Sequence, residues 1–127
     1  MIVKSPILPA RVRKIPRSFS WVDHRIVSDN HIDRCSHAAA ALYLFLVCVA
    51  DDKGLSYYGD KSIMGKLSME QQTLQNARSD LTRISLVAWQ KPFYQVLDLE
   101  PAKKIRHAGS AVSLEDILKN AMEVRHD

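Results

Sequence analysis

The chain has 127 residues, of which 46% are hydrophobic and 25% charged, and its formal net charge is +4. That length suffices for one domain with a buried core, and the apolar fraction excludes general disorder. Two cysteines are too few for a disulfide framework or a four-thiolate zinc site, so we expect a reduced, cytoplasmic protein. A membrane helix needs about 18 uncharged apolar residues in a row, and because no run is that long we expect no membrane segment.

Most of the positive charge lies at the start of the chain. Residues 1–20 contain five basic residues and no acidic one, whereas residues 21–60 sum to −3, and residues 61–100 and 101–127 to +1 each. Pro6, Pro9 and Pro16 disfavour a helix, so residues 1–18 are predicted to form a basic extended arm. The arm can lie along a polyanion, lie across its own domain or remain a solvated tail. Its candidate DNA contacts are Arg11, Arg13, Lys14 and Arg17.

Residues 19–100 are predicted to form one domain that starts with a long apolar helix over residues 36–50. Ser36 suits the N-cap, and the residues after it are apolar on almost every side, as in a helix at the centre of a core. Cys48 is expected to be a small core residue of this helix. Gly54 suits the left-handed turn that ends it, and residues 55–58 predict a short extended piece.

Two closely spaced helices are predicted next. Asp60 can cap a brief helix over residues 61–67, and Ser68 with Gln71 forms a capping box for a second helix from residue 69 to about residue 83. Because the second helix is capped where the first one stops, the two must cross steeply, which predicts a helix-turn-helix. The helical period gives the second helix an apolar inner face of Leu74, Ala77, Leu81 and Ile84.

The end of the domain predicts a small antiparallel β-hairpin. Residues 86–99 are rich in β-branched and aromatic side chains and are interrupted at Lys91 and Pro92. The predicted fold class is therefore mainly α with a small β-hairpin, in the order of a winged helix-turn-helix with a three-helix core and a wing. The aromatic side chains expected to pack in the core and hairpin are Trp21, Trp89, Phe93 and Tyr94.

Residues 101–127 are predicted to form a polar linker and a short amphipathic helix. Ser113 and Asp116 resemble a capping box, and Leu114, Ile117 and Leu118 fall at helical spacing. Because an apolar stripe needs a partner, this helix is expected to pack on its own domain, on a second copy or on a partner protein.

A family resemblance is visible in the run ALYLFLVCVADDKGLSYYGDKSIMGKLSMEQQTLQNARSDLTRISLVAW. It resembles the winged helix-turn-helix domains at the N-termini of phage and plasmid replication initiators, primosomal proteins and related bacterial regulators. The resemblance starts at FSWVDHRIVSDNHIDRCS and covers residues 19–99. It implies a homodimer that binds double-stranded DNA in replication initiation or transcription of a mobile element. Two positions depart from the pattern, because Ser85 stands where such domains usually carry glycine and the Lys91-Pro92 tip is poor in basic residues.

The predicted helix over residues 69–83 carries a polar stripe opposite its apolar face. Gln72, Asn76, Ser79 and Arg83 follow each other at spacings of four, three and four. Amide side chains carry a donor and an acceptor together, which suits the adenine edge in the major groove, although an ordinary solvated face has the same pattern. The other predicted DNA contacts are Gln71, Thr73 and Gln75 beside the stripe, and Lys61 and Lys66 at phosphates.

No enzyme activity, cofactor or metal site is predicted. The sequence contains no Gly-rich phosphate loop and no nucleophile elbow, and its paired Asp51 and Asp52 stand at a predicted helix end. The alternative to DNA binding is a winged-helix protein-interaction or oligomerisation module, because the domain behind the arm is nearly neutral. The one cluster of metal-ligand residue types, which matches no zinc-finger spacing, comprises His24, His31, Cys35 and His37.

Overall fold

The structure is a computed structural model, and it describes residues 2–99. This part of the protein is mainly helical and contains a small three-stranded antiparallel sheet. None of its helices is long and apolar enough to cross a membrane. The predicted linker and amphipathic helix over residues 101–127 lie outside the described residues. The elements are α1 (Arg25–Ser28), α2 (His37–Val49), β1 (Leu55–Tyr57), α3 (Asp60–Leu67), α4 (Gln71–Arg83), β2 (Val87–Gln90) and β3 (Phe93–Val96), with short 3-10 turns at Pro9–Arg11 and Ile32–Arg34.

The core lies between α2, α4 and one face of the sheet. Small side chains let the two helices approach, since Ala39 of α2 and Ala77 of α4 are both completely buried. The predicted N-cap of α2 is confirmed, because Ser36 Oγ accepts a hydrogen bond from Ala39 N–H at 3.0 Å. The inner face predicted for α4 is also confirmed, as its four apolar residues are all buried.

One side of α2 is exposed, contrary to the prediction that this helix is buried all round. Leu44 is 59% exposed, and Cys48, expected in the core, is exposed one turn further along. The reason is that α4 and the sheet pack on one side of α2, and within residues 2–99 its other side remains partly uncovered. Three of the four aromatic side chains expected to be packed, Trp21, Trp89 and Phe93, are exposed as well, whereas Tyr94 is buried.

The joint between α3 and α4 differs from the predicted capping box. Ser68 ends α3 in the left-handed conformation with φ 54°, and the Met69 N–H donates to Met64 O at 3.1 Å. An N-cap residue needs extended backbone, so Ser68 cannot also start the next helix. Glu70 takes that place, and α4 begins at Gln71, after a turn of three residues. The Asp60 cap is likewise wrong, because Gly59 is the N-cap and Asp60 the first residue of α3.

The sheet contains the predicted hairpin and one further strand. β2 and β3 pair antiparallel across Lys91 and Pro92, and β1 pairs antiparallel with the other side of β3. The extended piece predicted near residues 55–58 therefore belongs to the sheet, whose strand order is β1-β3-β2. Its inner face buries Tyr94, and its outer face exposes Tyr57 and Phe93, whose ring centroids lie 5.5 Å apart.

The arm is exposed along its whole described length, residues 2–18. Its regular structure is the single 3-10 turn at Pro9–Arg11, which agrees with the prediction that its prolines exclude a long helix. The arm therefore does not lie across its own domain, which was one of the alternatives left open by the sequence.

Ser85 adopts the left-handed backbone conformation, φ 61°, directly behind α4. The Leu86 N–H donates to Leu81 O at 3.0 Å, the long bond of a Schellman-type helix end, in which glycine is the preferred residue. The serine at this position therefore keeps the turn that glycine usually makes, at an energetic cost from its Cβ atom.

Ser85→Gly is expected to raise the free energy of unfolding by about 1 kcal/mol, because glycine has no Cβ that opposes a positive φ. Urea unfolding followed by circular dichroism measures the change. Ser62→Gly is the control, since Ser62 is exposed inside α3, where glycine should lower stability by about 0.5 kcal/mol. Equal effects of the two substitutions would contradict the left-handed turn.

Candidate nucleic-acid interface

The exposed face of α4 is polar and uncharged over its first two turns. Gln72, Asn76 and Ser79 are all exposed along it. Arg83 ends the face near the C-terminus of the helix, where its Nη2 atom lies 2.7 Å from Asp80 Oδ1. The only basic side chain of the stripe is therefore paired within its own helix, and the first two turns offer hydrogen-bonding groups rather than charge.

Two amide side chains at the start of this face are joined to each other. Gln72 Nε2 donates to Asn76 Oδ1 at 3.0 Å, across one turn of the helix. The bond uses one donor of Gln72 and one acceptor site of Asn76, and it leaves Gln72 Oε1 as an acceptor and Asn76 Nδ2 as a donor toward solvent. An acceptor beside a donor is the complement of the major-groove edge of adenine, which presents the N6 amino group and N7.

The remaining predicted contacts surround this pair. Because α4 starts at Gln71 and not at residue 69, the side chains flanking the stripe lie in the first turns of the helix. Gln71 and Gln75 are exposed, and Thr73 is half-buried. The predicted phosphate contacts of α3 and of the arm, all of them exposed, are Lys61, Lys66, Arg11, Arg13, Lys14 and Arg17.

A buried arginine that the sequence analysis did not single out holds α4 in place. Arg78 Nη1 donates to Asp60 Oδ1 at 2.8 Å and to the Tyr94 hydroxyl oxygen at 2.8 Å, and its guanidinium carbon lies 3.9 Å from the centroid of the Trp89 ring. One side chain of α4 thereby contacts α3, β3 and β2. These contacts fix the direction in which the polar face of α4 points relative to α3 and the hairpin.

The electrostatics of this cluster keep Arg78 charged. Burial lowers the pKa of Arg78, but the hydrogen bonds to Asp60 and Tyr94 outweigh it, and the pKa is raised overall. Burial also raises the pKa of Tyr94, although the bond from Arg78 acts in the opposite direction. The cluster is therefore a guanidinium held between a carboxylate and a neutral phenol at neutral pH.

The structure does not bring the four residues of the metal-ligand type together as one cluster. His24 and His37 are exposed, whereas His31 is buried and both of its ring nitrogens are without a hydrogen-bond partner among residues 2–99. The Cys35 thiol, whose pKa burial raises, donates to the His31 carbonyl oxygen at 3.7 Å. Within residues 2–99, no three His, Cys, Asp or Glu side chains are close enough together to hold a metal ion.

Comparisons with known proteins find no relative of this chain. No protein-family model matches the chain, and neither the curated proteins nor the solved structures give a match. The function has to be inferred from the residues of the chain itself.

Proposed function

We propose that the protein binds double-stranded DNA as a winged helix-turn-helix, with α4 in the major groove. The observation that carries the proposal is the exposed, uncharged face of α4 and the joined amides of Gln72 and Asn76 at its start. In helix-turn-helix proteins the N-terminal part of the second helix contacts the base edges. The role we propose is recognition of a site in replication initiation or transcription of a mobile element, by a homodimer.

The order of the elements supports this interpretation. A helix, a short strand, two helices joined by a short turn and a hairpin follow each other as α2, β1, α3, α4 and β2 with β3. We interpret α3 and α4 as the helix-turn-helix and the hairpin as the wing. Since Arg78 ties α4 to α3 and to both hairpin strands, the helix is held as a rigid reading element with its amide face outward.

The charge distribution divides the proposed binding between two parts of the chain. The uncharged face of α4 supplies contacts to bases, and the arm, with five basic residues and no acidic one within residues 1–20, supplies contacts to phosphates. Lys61 and Lys66 on α3 add two further exposed cations. We therefore expect most of the salt dependence to come from the arm and most of the sequence preference to come from α4.

The experiment starts with selection of a preferred duplex from random DNA, followed by titration at several salt concentrations. Gln72→Ala with Asn76→Ala is expected to weaken binding to the selected duplex about 10-fold or more, with little effect on random duplex. Ser28→Ala with Asn30→Gly is the control, because both polar side chains are exposed outside α3, α4, the hairpin and the arm, and glycine tolerates the φ of 63° at Asn30.

The arm is tested in the same titration. Arg13→Ala with Lys14→Ala should make the negative slope of log K against log salt shallower by about 2. The sequence preference should stay unchanged. Arg34→Ala with Lys53→Ala removes two exposed cations elsewhere and serves as the control. If neither the amide pair nor the arm pair changes binding to any duplex, the proposal is wrong.

A protein-interaction module without DNA binding is the second candidate. It is favoured by apolar side chains that the domain leaves uncovered, namely Leu44 on α2 and Tyr57 with Phe93 on the outer face of the sheet. Absence of binding to duplex DNA at low salt, together with a stable higher-order species in sedimentation, would favour this second function.

A further inference from the structure

A cleft of about 520 Å³ opens between the chain before α1, the C-terminal end of α2 and the end of β3. The apolar residues that line it include Phe19 and Trp21 before α1, Tyr43 and Val47 of α2, and Leu99. Trp21 is 74% exposed and Phe19 61% exposed, although both are large and apolar. A volume in this range is typical of sites that enclose a ligand or a short peptide segment.

The cleft is also acidic. Four aspartates and one lysine are among the residues that line it. The hydrogen bond from Arg25 lowers the pKa of Asp23 to about 2, and hydrogen bonds from the Leu55 and Lys53 N–H groups lower the pKa of Asp51. Both carboxylates are therefore ionised at neutral pH. Asp23 is neutralised by its ion pair with Arg25 at 2.8 Å, so the negative charge that the cleft offers to a ligand is that of Asp51, Asp52 and Asp98, all of them exposed. A segment that carries apolar and basic side chains together is the chemical complement of this cleft.

The arm contains such a segment at residues 12–17. Val12 and Ile15 are exposed, Ile15 by 79%, and Arg13, Lys14 and Arg17 supply the cations. Val12 has φ −64° and ψ 134°, the extended conformation of polyproline, and Pro16 restricts the chain to the same region. Extended proline-containing segments bind grooves lined by aromatic side chains, because little conformational entropy is lost when they dock.

We propose that residues 12–17 of one copy dock in the acidic aromatic cleft of a second copy of this chain. The arm is attached at the rim of its own cleft, since Phe19 lines it, and residues 12–17 are exposed in the single chain. Because residues 12–17 are exposed, the segment does not fill the cleft of its own chain. A second copy can supply the segment instead, and a reciprocal exchange of two arms closes a symmetric dimer. The proposal does not depend on DNA binding.

The test uses sedimentation of the full chain without DNA, over a wide range of protein concentration. The wild type is expected to form a dimer. Arg13→Glu with Lys14→Glu, and separately Asp52→Lys with Asp98→Lys, should each raise the dimer Kd about 10-fold or more. Combining all four substitutions should restore association, because the charges are again complementary. The matched controls with the same change in charge outside arm and cleft are Lys61→Glu with Lys66→Glu and Asp29→Lys with Asp33→Lys.

Fluorescence of Trp21 gives a second readout in the same samples. Its emission should shift to the blue as the protein concentration rises, and Trp21→Phe should remove the shift. A monomer at every concentration, a dimer insensitive to both charge reversals, or failure of the combined variant to associate would overturn the proposal. Trp21 emission that is equally blue-shifted at every protein concentration would place the arm in its own cleft. This result would overturn the exchange between copies. Since no DNA is present, each outcome is separate from that of the DNA-binding experiment.

Discussion

Gly54→Ala is expected to lower the free energy of unfolding by about 3 kcal/mol, a large part of the stability of a domain of this size. Gly54 has φ +86°, and a Cβ atom placed on it would lie 2.5 Å from the Val96 carbonyl oxygen. The backbone cannot simply move away, because Gly54 O accepts a hydrogen bond from Val96 N–H at 2.8 Å. The alanine variant therefore combines an unfavourable backbone conformation with a clash against the central strand.

Gly65→Ala is the matched control for this prediction. Gly65 lies inside α3, and no atom lies within 4 Å of the place that its Cβ would take. Alanine is favoured over glycine in a helix by about 1 kcal/mol, so this variant is expected to be more stable than the wild type. Urea unfolding measures both variants. Opposite signs are expected, and a loss of less than about 1 kcal/mol for Gly54→Ala would show that the turn before β1 adapts to a side chain.

Arg78→Ala is expected to lower the free energy of unfolding by about 3 kcal/mol, because it breaks a half-buried ion pair, leaves the buried Tyr94 hydroxyl without its partner and removes the contact with Trp89. The Arg78 side chain is 8% exposed and its partner Asp60 is 39% exposed. Arg78→Lys keeps the charge, but it loses the second donor group and the planar contact with Trp89, so we expect an intermediate loss.

Arg83→Ala is the control for the buried arginine. Arg83 also forms an ion pair, with Asp80 at 2.7 Å, but its side chain is 62% exposed. Exposed pairs of this kind contribute less than about 1 kcal/mol, so thermal unfolding of this variant should stay close to that of the wild type. Similar losses for Arg78→Ala and Arg83→Ala would mean that the cluster around Arg78 does not hold α4.

The elements with regular apolar spacing could be predicted from the sequence. The buried positions of α4 repeat with the helical period, and the aromatic and β-branched residues around Lys91 and Pro92 indicate a hairpin. Both predictions are confirmed because the core is built from these faces. The third strand was harder to predict, since β1 has only three residues and its pairing with β3 depends on contacts across about 40 positions of sequence.

Helix boundaries and burial could not be predicted as well. Ser68 has the side chain of an N-cap, but its left-handed backbone makes it the end of α3. The composition of α2 predicted burial all round, yet burial depends on which elements pack against a helix, and Cys48 is exposed in the described part of the chain. The burial of Arg78 could have been predicted from its spacing. Arg78 lies four residues after Leu74 and three before Leu81, on the buried side of α4.

The proposed interface was partly visible in the sequence. Spacing alone predicts that Gln72, Asn76 and Ser79 share one face, but the hydrogen bond between the two amides depends on side-chain geometry. The acidic cleft could not be predicted, because its aspartates come from the chain before α1, from the end of α2 and from the chain behind β3. Only the folded backbone brings these distant segments together.

The central strand of the sheet is also the last element of the described chain, and this has a consequence for synthesis on the ribosome. β3 lies between β1 and β2 and carries Tyr94, the partner of Arg78. A nascent chain that has emerged only to residue 90 contains all four helices together with β1 and β2. Neither strand can pair before β3 has emerged, and Gly54 O lacks the Val96 N–H from which it accepts a hydrogen bond. We expect the N-terminal helices to stay loosely packed until β3 leaves the exit tunnel, and the domain then to close in a single late step.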